Sequence, residues 1–175
     1  MKMLKVFKLV VMLGLILSLS GIISCNIGKE ETKNMGNSNL EQNKEIALGL
    51  SKAIMNGNWE KVDTLIADDF FYEADSRPAI NKQQYIGFMK GVLTSAMQDM
   101  DMDFLHVVAE GNLVSVNYTN KMTNKGDFLG VPATGKQVTA TGQFIREVKD
   151  GKVIAEWQTT NSLGLMQQLG AIPSN

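Results

Sequence analysis

The 175-residue chain holds one cysteine and one histidine, and these two scarcities exclude more chemistry than any motif in it. A lone thiol forms no internal disulfide and no thiolate metal site. His106 alone leaves zinc and haem without a ligand set. One histidine and no nucleophile elbow leave no triad. Metal chemistry reduces to weak carboxylate binding of hard cations, and no cofactor is expected. Basic charge is also short. Of 17 Lys and Arg, three (Lys2, Lys5, Lys8) precede residue 25, whereas all 18 Asp and Glu follow it. From residue 25 onward the net charge is therefore about −4 (17 − 3 − 18), without a basic cluster in the part expected to fold. Nucleic-acid binding, which depends on neutralising phosphates, is not expected. Nor is there a long spanning run: the uncharged stretch Leu9–Ser24 has 16 residues, short of the roughly 18 that a transmembrane helix needs.

What the N-terminus does hold is a basic start, MKMLKVFK, followed by LVVMLGLILSLSGIIS. That order is the form of a secretory signal. Ile22-Ile23-Ser24-Cys25 resembles the bacterial lipobox, which implies a signal peptide over 1–24 and lipidation of Cys25. Acyl chains contribute about 0.8 kcal/mol per buried CH₂, so several together anchor a protein to a bilayer. The expected location is the cell envelope, lipid-anchored. Asn26, not Asp, follows the cysteine and favours the outer membrane where the cell has one. Residues 25–39, with NIGKEETKNMGNSN after the cysteine, read as a flexible polar tether.

The single domain is expected over 40–175. Ile46, Leu50, Ala53 and Ile54 recur at helical spacing, and Gly57 stops the helix. Asn58 can cap a second helix whose Trp59, Val62, Leu65 and Ile66 face inward. FFYEA (70–74) reads as a short strand. Asn81 and Gln84 resemble a capping box before a third helix, with Tyr85, Phe88, Met89, Val92, Leu93, Ala96 and Met97 as one apolar stripe. Beyond Asp99 the period changes to two over FLHVVA, NLVSVNYTNKM, KQVTATGQFIREV and KVIAEWQTTN, four strands. Asp99, Asp101 and Asp103 read as a solvated connection and strand entry, and His106 shares a face with Phe104 and Val108. A short helix, 162–169, ends the chain. Three helices followed by a curved, mostly antiparallel sheet imply an α+β fold with the helices packed against one sheet face and a short C-terminal helix.

Asp150-Gly151 predicts a tight hairpin. An unbroken register pairs Val148 with Val153, Arg146 with Ala155, Phe144 with Trp157, Gly142 with Thr159 and Ala140 with Asn161. All ten then share one face, expected to be the inner one. Small residues there leave space before the aromatics, so Phe144, Arg146, Trp157 and Asn161 are expected to line a pocket for a small hydrophobic molecule. Each also has a plainer role open to it: core for the aromatics, a rim ion pair for Arg146, a helix cap for Asn161.

GDFLGVPATGKQVTATGQFIREVKDGKVIAEW, followed by LGLMQQLG, resembles the SnoaL-like polyketide cyclase (ester cyclase) family of the nuclear-transport-factor-2-like superfamily. The resemblance covers about residues 40–173. It implies the cone-shaped α+β barrel and an intramolecular aldol closure of a polyketide ester, without metal or cofactor. It also implies an acid/base aspartate four residues after the tryptophan, where this chain has Asn161. A histidine common before the Gly-acid-Phe element is Asn124 here, and one after the first strand is replaced by Glu73. An amide neither takes nor gives a proton near neutral pH, and losing such a group costs about 10²–10⁴ in rate.

Three readings follow. The first is a membrane-tethered domain that binds a small hydrophobic molecule through Phe144, Arg146, Trp157, Asn161 and Asn124, without strong catalysis. The second is an active cyclase or isomerase with Glu73 in place of the aspartate. The third is a non-catalytic homodimeric module pairing through the sheet's outer face.

Overall fold

The computed structural model describes the backbone of residues 24–75 and 77–173, and side chains from Asn39 onward. Most of the expected signal segment, and the Cys25 side chain, lie outside the described residues. Two units divide at Asn39/Leu40. In the first, backbone is helical from Ser24, the start of helix α1 (Ser24–Met55). Residues read as a tether lie within this helix. Their Lys, Glu and Met are good helix formers despite the glycines between them.

The second unit is an α+β domain. Ala47, Leu50, Ala53 and Ile54 are the buried stripe of α1. Asn58 caps α2 (Trp59–Leu65) by accepting from the Lys61 N–H. Strand β1 (Ile66–Ala74) begins four residues earlier than expected and takes Ile66 from the helix. After the short β2 (Ile80–Asn81), helix α3 (Lys82–Phe88) opens with the expected Asn81/Gln84 capping box. The helix then widens into a π turn, Met89–Leu93, and ends with Thr94–Ala96. Strands β3 (Met97–Glu110), β4 (Leu113–Asn124), β5 (Gln137–Lys149) and β6 (Lys152–Thr160) follow, then α4 (Ser162–Leu169). Gly170, at φ 85°, stops α4 in the left-handed conformation that glycine adopts without strain.

The sheet runs β2-β1-β6-β5-β4-β3. Only the β1–β6 pair is parallel; the others are antiparallel. Its inner face and the helices enclose two apolar clusters. One joins α1, α2 and α3 to Val114, Val116, Phe144, Val148 and Val153. The other gathers Met97, Met122, Phe128, Val138 and Ala140 around Leu165 and Leu169 of α4.

Bulges correct the expected registers. The Asp150-Gly151 turn has positive φ at both residues, as expected of a tight hairpin. Val148 does pair with Val153, but Glu147 then pairs with Ala155, so Ile154 is an extra residue on β6. Past that bulge every pair is displaced by one: Arg146 meets Glu156, Phe144 meets Gln158 and Gly142 meets Thr160. A one-residue displacement exchanges the two faces of the bulged strand. Strand β3 shifts register twice, between Gln98 and Asp101 and again at Leu105, an extra residue that turns His106 and Val108 outward while Phe104 faces in. The QDMDMD stretch is strand throughout, with no connection before it; its aspartates are exposed, as expected, while Met97, Met100 and Met102 are less so.

Candidate ligand cavity

The bulge in β6 decides which polar groups enter the molecule. Arg146 and Glu156, directly opposed, are 2% and 1% exposed. Arg146 Nε donates to Glu156 Oε2 at 2.7 Å, and Nη1 donates to Ser51 Oγ at 2.9 Å and to the Ala47 carbonyl. Tyr85 adds its hydroxyl to Glu156 Oε2 at 3.2 Å. The guanidinium also lies 4.1 Å from the centre of the Phe144 ring. Burial works against the Arg146 charge, but the Glu156 carboxylate outweighs it and holds the guanidinium above its ordinary pKa. These residues tie α1 to β5 and β6, and only a small chamber of about 60 Å³ adjoins them.

In front of that chamber lies a cavity of about 610 Å³. Its wall is apolar: Phe88, Met89 and Leu93 from α3 and the π turn, Met102, Met122 and Ala140 from the sheet, and Leu165 and Met166 from α4. Phe128 and Leu129, from the loop after β4, close one side. Gln84 and Asn120 add amides to the wall, and four further polar side chains, Tyr72, Tyr118, Gln158 and Thr160, form one hydrogen-bonded patch. Tyr118, Gly142 and Thr160 stand in a row across β4, β5 and β6. A Cβ on Gly142 would sit 2.8 Å from the Tyr118 oxygen and closer still to the Thr159 carbonyl. Glycine there lets the Tyr118 ring cross the neighbouring strand. The Tyr118 hydroxyl reaches Thr160 Oγ1 at 3.2 Å and accepts from Gln158 Nε2 at 2.7 Å. Gln158 Nε2 also meets Thr160 Oγ1 at 3.2 Å, while its Oε1 accepts from Tyr72 Oη at 3.0 Å. Burial, with Glu156 behind it, pushes the Tyr72 phenol well up; burial likewise raises Tyr118. Both are therefore neutral hydrogen-bond groups at ordinary pH. Asp75 and Arg77 line the exposed mouth. Asp75 accepts from the Thr160 N–H and from Ser162 Oγ, both at 3.2 Å.

None of the five residues expected to bind ligand lines this cavity. Phe144 and Arg146 do face inward, at the small chamber. Trp157, displaced by the bulge, lies on the opposite face against Phe71, ring centres 5.4 Å apart. Glu73 pairs with Trp157 on that same face. Asn161 is the cap of α4, its side chain accepting from the Gly164 N–H at 2.9 Å. Asn124 is fully buried and braces the Gly126–Gly135 loop. Its Nδ2 donates to the Gly126 carbonyl at 2.8 Å, and Oδ1 accepts from the Thr134 N–H at 2.7 Å. In their place stand Tyr72, Tyr118, Gln158 and Thr160. A signal for them existed: only a bulge sets Glu156 opposite Arg146, the one pairing that neutralises two inward charges. Among the described residues, no three His, Cys, Asp or Glu side chains converge on a metal position.

The fold recurs among solved structures. AclR of Streptomyces galilaeus superposes with a TM-score of 0.71 at 22% identity, over 78% of this chain and 85% of that one. A SnoaL-like polyketide cyclase candidate from Jannaschia sp. CCS1 gives 0.69 at 27% identity, over 76% and 94%. An LEH-like epoxide hydrolase of M. tuberculosis gives 0.62 at 14%, over 76% and 92%. Comparison with curated proteins gives no match. The open, curved sheet with helices on its inner face is thus the cone of the nuclear-transport-factor-2-like fold. The model of the SnoaL-like polyketide cyclases matches residues 44–169, well over half of the sequence, and the chain belongs to that family.

Proposed function

We propose that this protein binds a small, mostly hydrophobic molecule in the 610 Å³ cavity and does not turn it over by strong acid–base catalysis. The observation that carries this reading is the chemistry of the cavity's polar patch: two neutral phenols, an amide and a hydroxyl. Apolar walls with a few convergent polar groups are what small-molecule sites are made of. The buried carboxylate behind the patch, Glu156, is held in its ion pair with Arg146. Native mass spectrometry of the purified full-length chain is expected to show a bound organic mass. Ala140→Phe, which fills the cavity from β5, is expected to abolish it; a wild-type chain that carries and takes up nothing would refute the reading. The proposal includes Cys25 lipidation and an envelope location, which rest on the lipobox-like residues 22–25.

A cyclase or isomerase reading is supported by one group, Asp75, the cavity's only lining carboxylate among the described residues. It sits at φ 48°, an uncommon conformation for a residue other than glycine. Deuterium exchange into an enolisable ketone, lost in Asp75→Asn, would support that chemistry. Glu73 faces away from the cavity and does not serve it. A homodimer through the outer sheet face is a further expectation, supported by the exposed Phe71, Val108 and Ile145. Sedimentation of Ile145→Asp as monomer, against a wild-type dimer, is its test.

A further inference from the structure

The count of thiols and imidazoles passes over one other soft ligand, the methionine thioether. Of the chain's 11 methionines, four precede residue 40, which leaves seven in the domain (11 − 4). Four of these, Met55, Met89, Met100 and Met102, line the chamber of about 60 Å³ beside Arg146. They come from three separate elements: the end of α1, the start of the π turn, and β3. A register shift sets the two on β3. Gln98 pairs with Thr123 and Asp101 with Lys121, so Asp99 and Met100 together stand opposite Met122. Asp99 takes up the extra length at φ 53°, where residues other than glycine are uncommon. In an unbroken strand Met97 would lie on the face opposite Met100 and Met102. The bulge turns all three toward the inner side.

Methionine is an adaptable core filler, and used that way it leaves no void. These four instead border an unfilled space. Its volume of about 60 Å³ is twice the roughly 30 Å³ share of one water in the liquid, room for an ion but for no organic molecule. We propose that the thioethers of Met55, Met89, Met100 and Met102 bind a soft monovalent ion, copper(I), in this chamber. Thioether sulfur is neutral and polarisable, and soft ligands of this kind select copper(I) over the hard cations that carboxylates hold. A single positive charge is the smallest that a set of neutral ligands has to carry. The chamber's own charges, Arg146 and Glu156, cancel in their ion pair at 2.7 Å. The flexible methionine side chains can close on an ion without moving the backbone. This site is independent of the organic ligand: Met55 and Met100 line the chamber and not the 610 Å³ cavity.

The test offers copper(I), kept reduced by ascorbate, to the full chain in detergent as its bicinchoninate complex, whose visible absorbance falls as protein takes the metal. Cys25→Ser is built into every sample, so any sulfur ligand is a thioether. One copper(I) per chain is expected, with sulfur neighbours in the X-ray absorption spectrum of the metal. Met55→Leu and Met100→Leu nearly conserve side-chain volume. Each is expected to weaken binding at least about tenfold, the loss typical of even an outer-shell partner. A parent chain that takes no copper from bicinchoninate, a metal shell without sulfur, or an affinity that neither substitution changes would overturn the proposal. The spectrum needs no substitution within the domain, so it decides the question even where a leucine variant fails to fold. Since neither substituted side chain lines the main cavity, organic binding there is expected to persist in both variants, whichever way the copper result falls.

Discussion

Glu156 shows how one residue's surroundings decide its role. A carboxylate inside the cone looks at first like a proton-transfer group. Its contacts are instead the guanidinium of Arg146 and the hydroxyl of Tyr85, and its exposure is 1%. Removing one member of such a pair leaves the other charge buried and unmatched, which costs about 3–5 kcal/mol. Glu156→Gln is therefore expected to lower the denaturation midpoint sharply, and urea titration reads it directly. The chain's three tyrosines, Tyr72, Tyr85 and Tyr118, are all buried, and each phenol is raised above its ordinary value of 10.0, chiefly by burial. A group whose pKa is higher folded than unfolded contributes stability that is complete below the unfolded pKa and lost as pH rises past it. Stability should thus be insensitive to these groups up to about pH 10 and fall above it. Tyrosinate absorbance is expected to appear together with loss of the fold; a phenol ionising at ordinary pH in the folded chain would contradict their placement.

At the scale of elements, the hairpin of β5 and β6 separates what the sequence could reveal from what it could not. Its turn was legible because Asp150-Gly151 suits positive φ at two successive residues. Its strands were legible from their alternation, and so was the inward face of β5, which carries Phe144 and Arg146. The bulge at Ile154 was not legible from alternation, because an extra residue leaves period-two patterning intact on either side and only changes its phase; its one trace was the charge complementarity of Arg146 and Glu156. All of the misplacement on β6 follows from that one residue: Trp157 went out, and Gln158 and Thr160 came in. Asn161, beyond the strand, was open to two roles, and local hydrogen bonding settled the cap. This makes its substitutions predictable. Asn161→Ala should cost about 1 kcal/mol as a lost cap. Asn161→Asp keeps an acceptor for the Gly164 N–H and places a negative charge at a helix start, so it should hold or slightly raise stability. Thermal melts of the pair test this. Asn161→Asp is not expected to create cyclase activity, since position 161 does not line the cavity.

At the scale of the whole molecule, class and layering were legible because they follow from the order of helical and alternating segments. The cavity was not, because it is what three separate features leave unfilled. The π turn opens α3 along Met89 and Leu93, the loop braced by Asn124 carries Phe128 inward, and Gly142 clears the path of Tyr118. All three are built from residues of the second unit. Among the described residues, the buried side chains of the main cluster begin at Ala47, and Ile46 is the first packed against it. A chain beginning at Leu40 is therefore expected to unfold in urea at the same midpoint, and with the same slope, as one beginning at Asn26. Slope reports the surface exposed on unfolding. An unchanged slope would show that residues 26–39 bury nothing in the cooperative core, whereas a lower midpoint with a smaller slope would assign them to it.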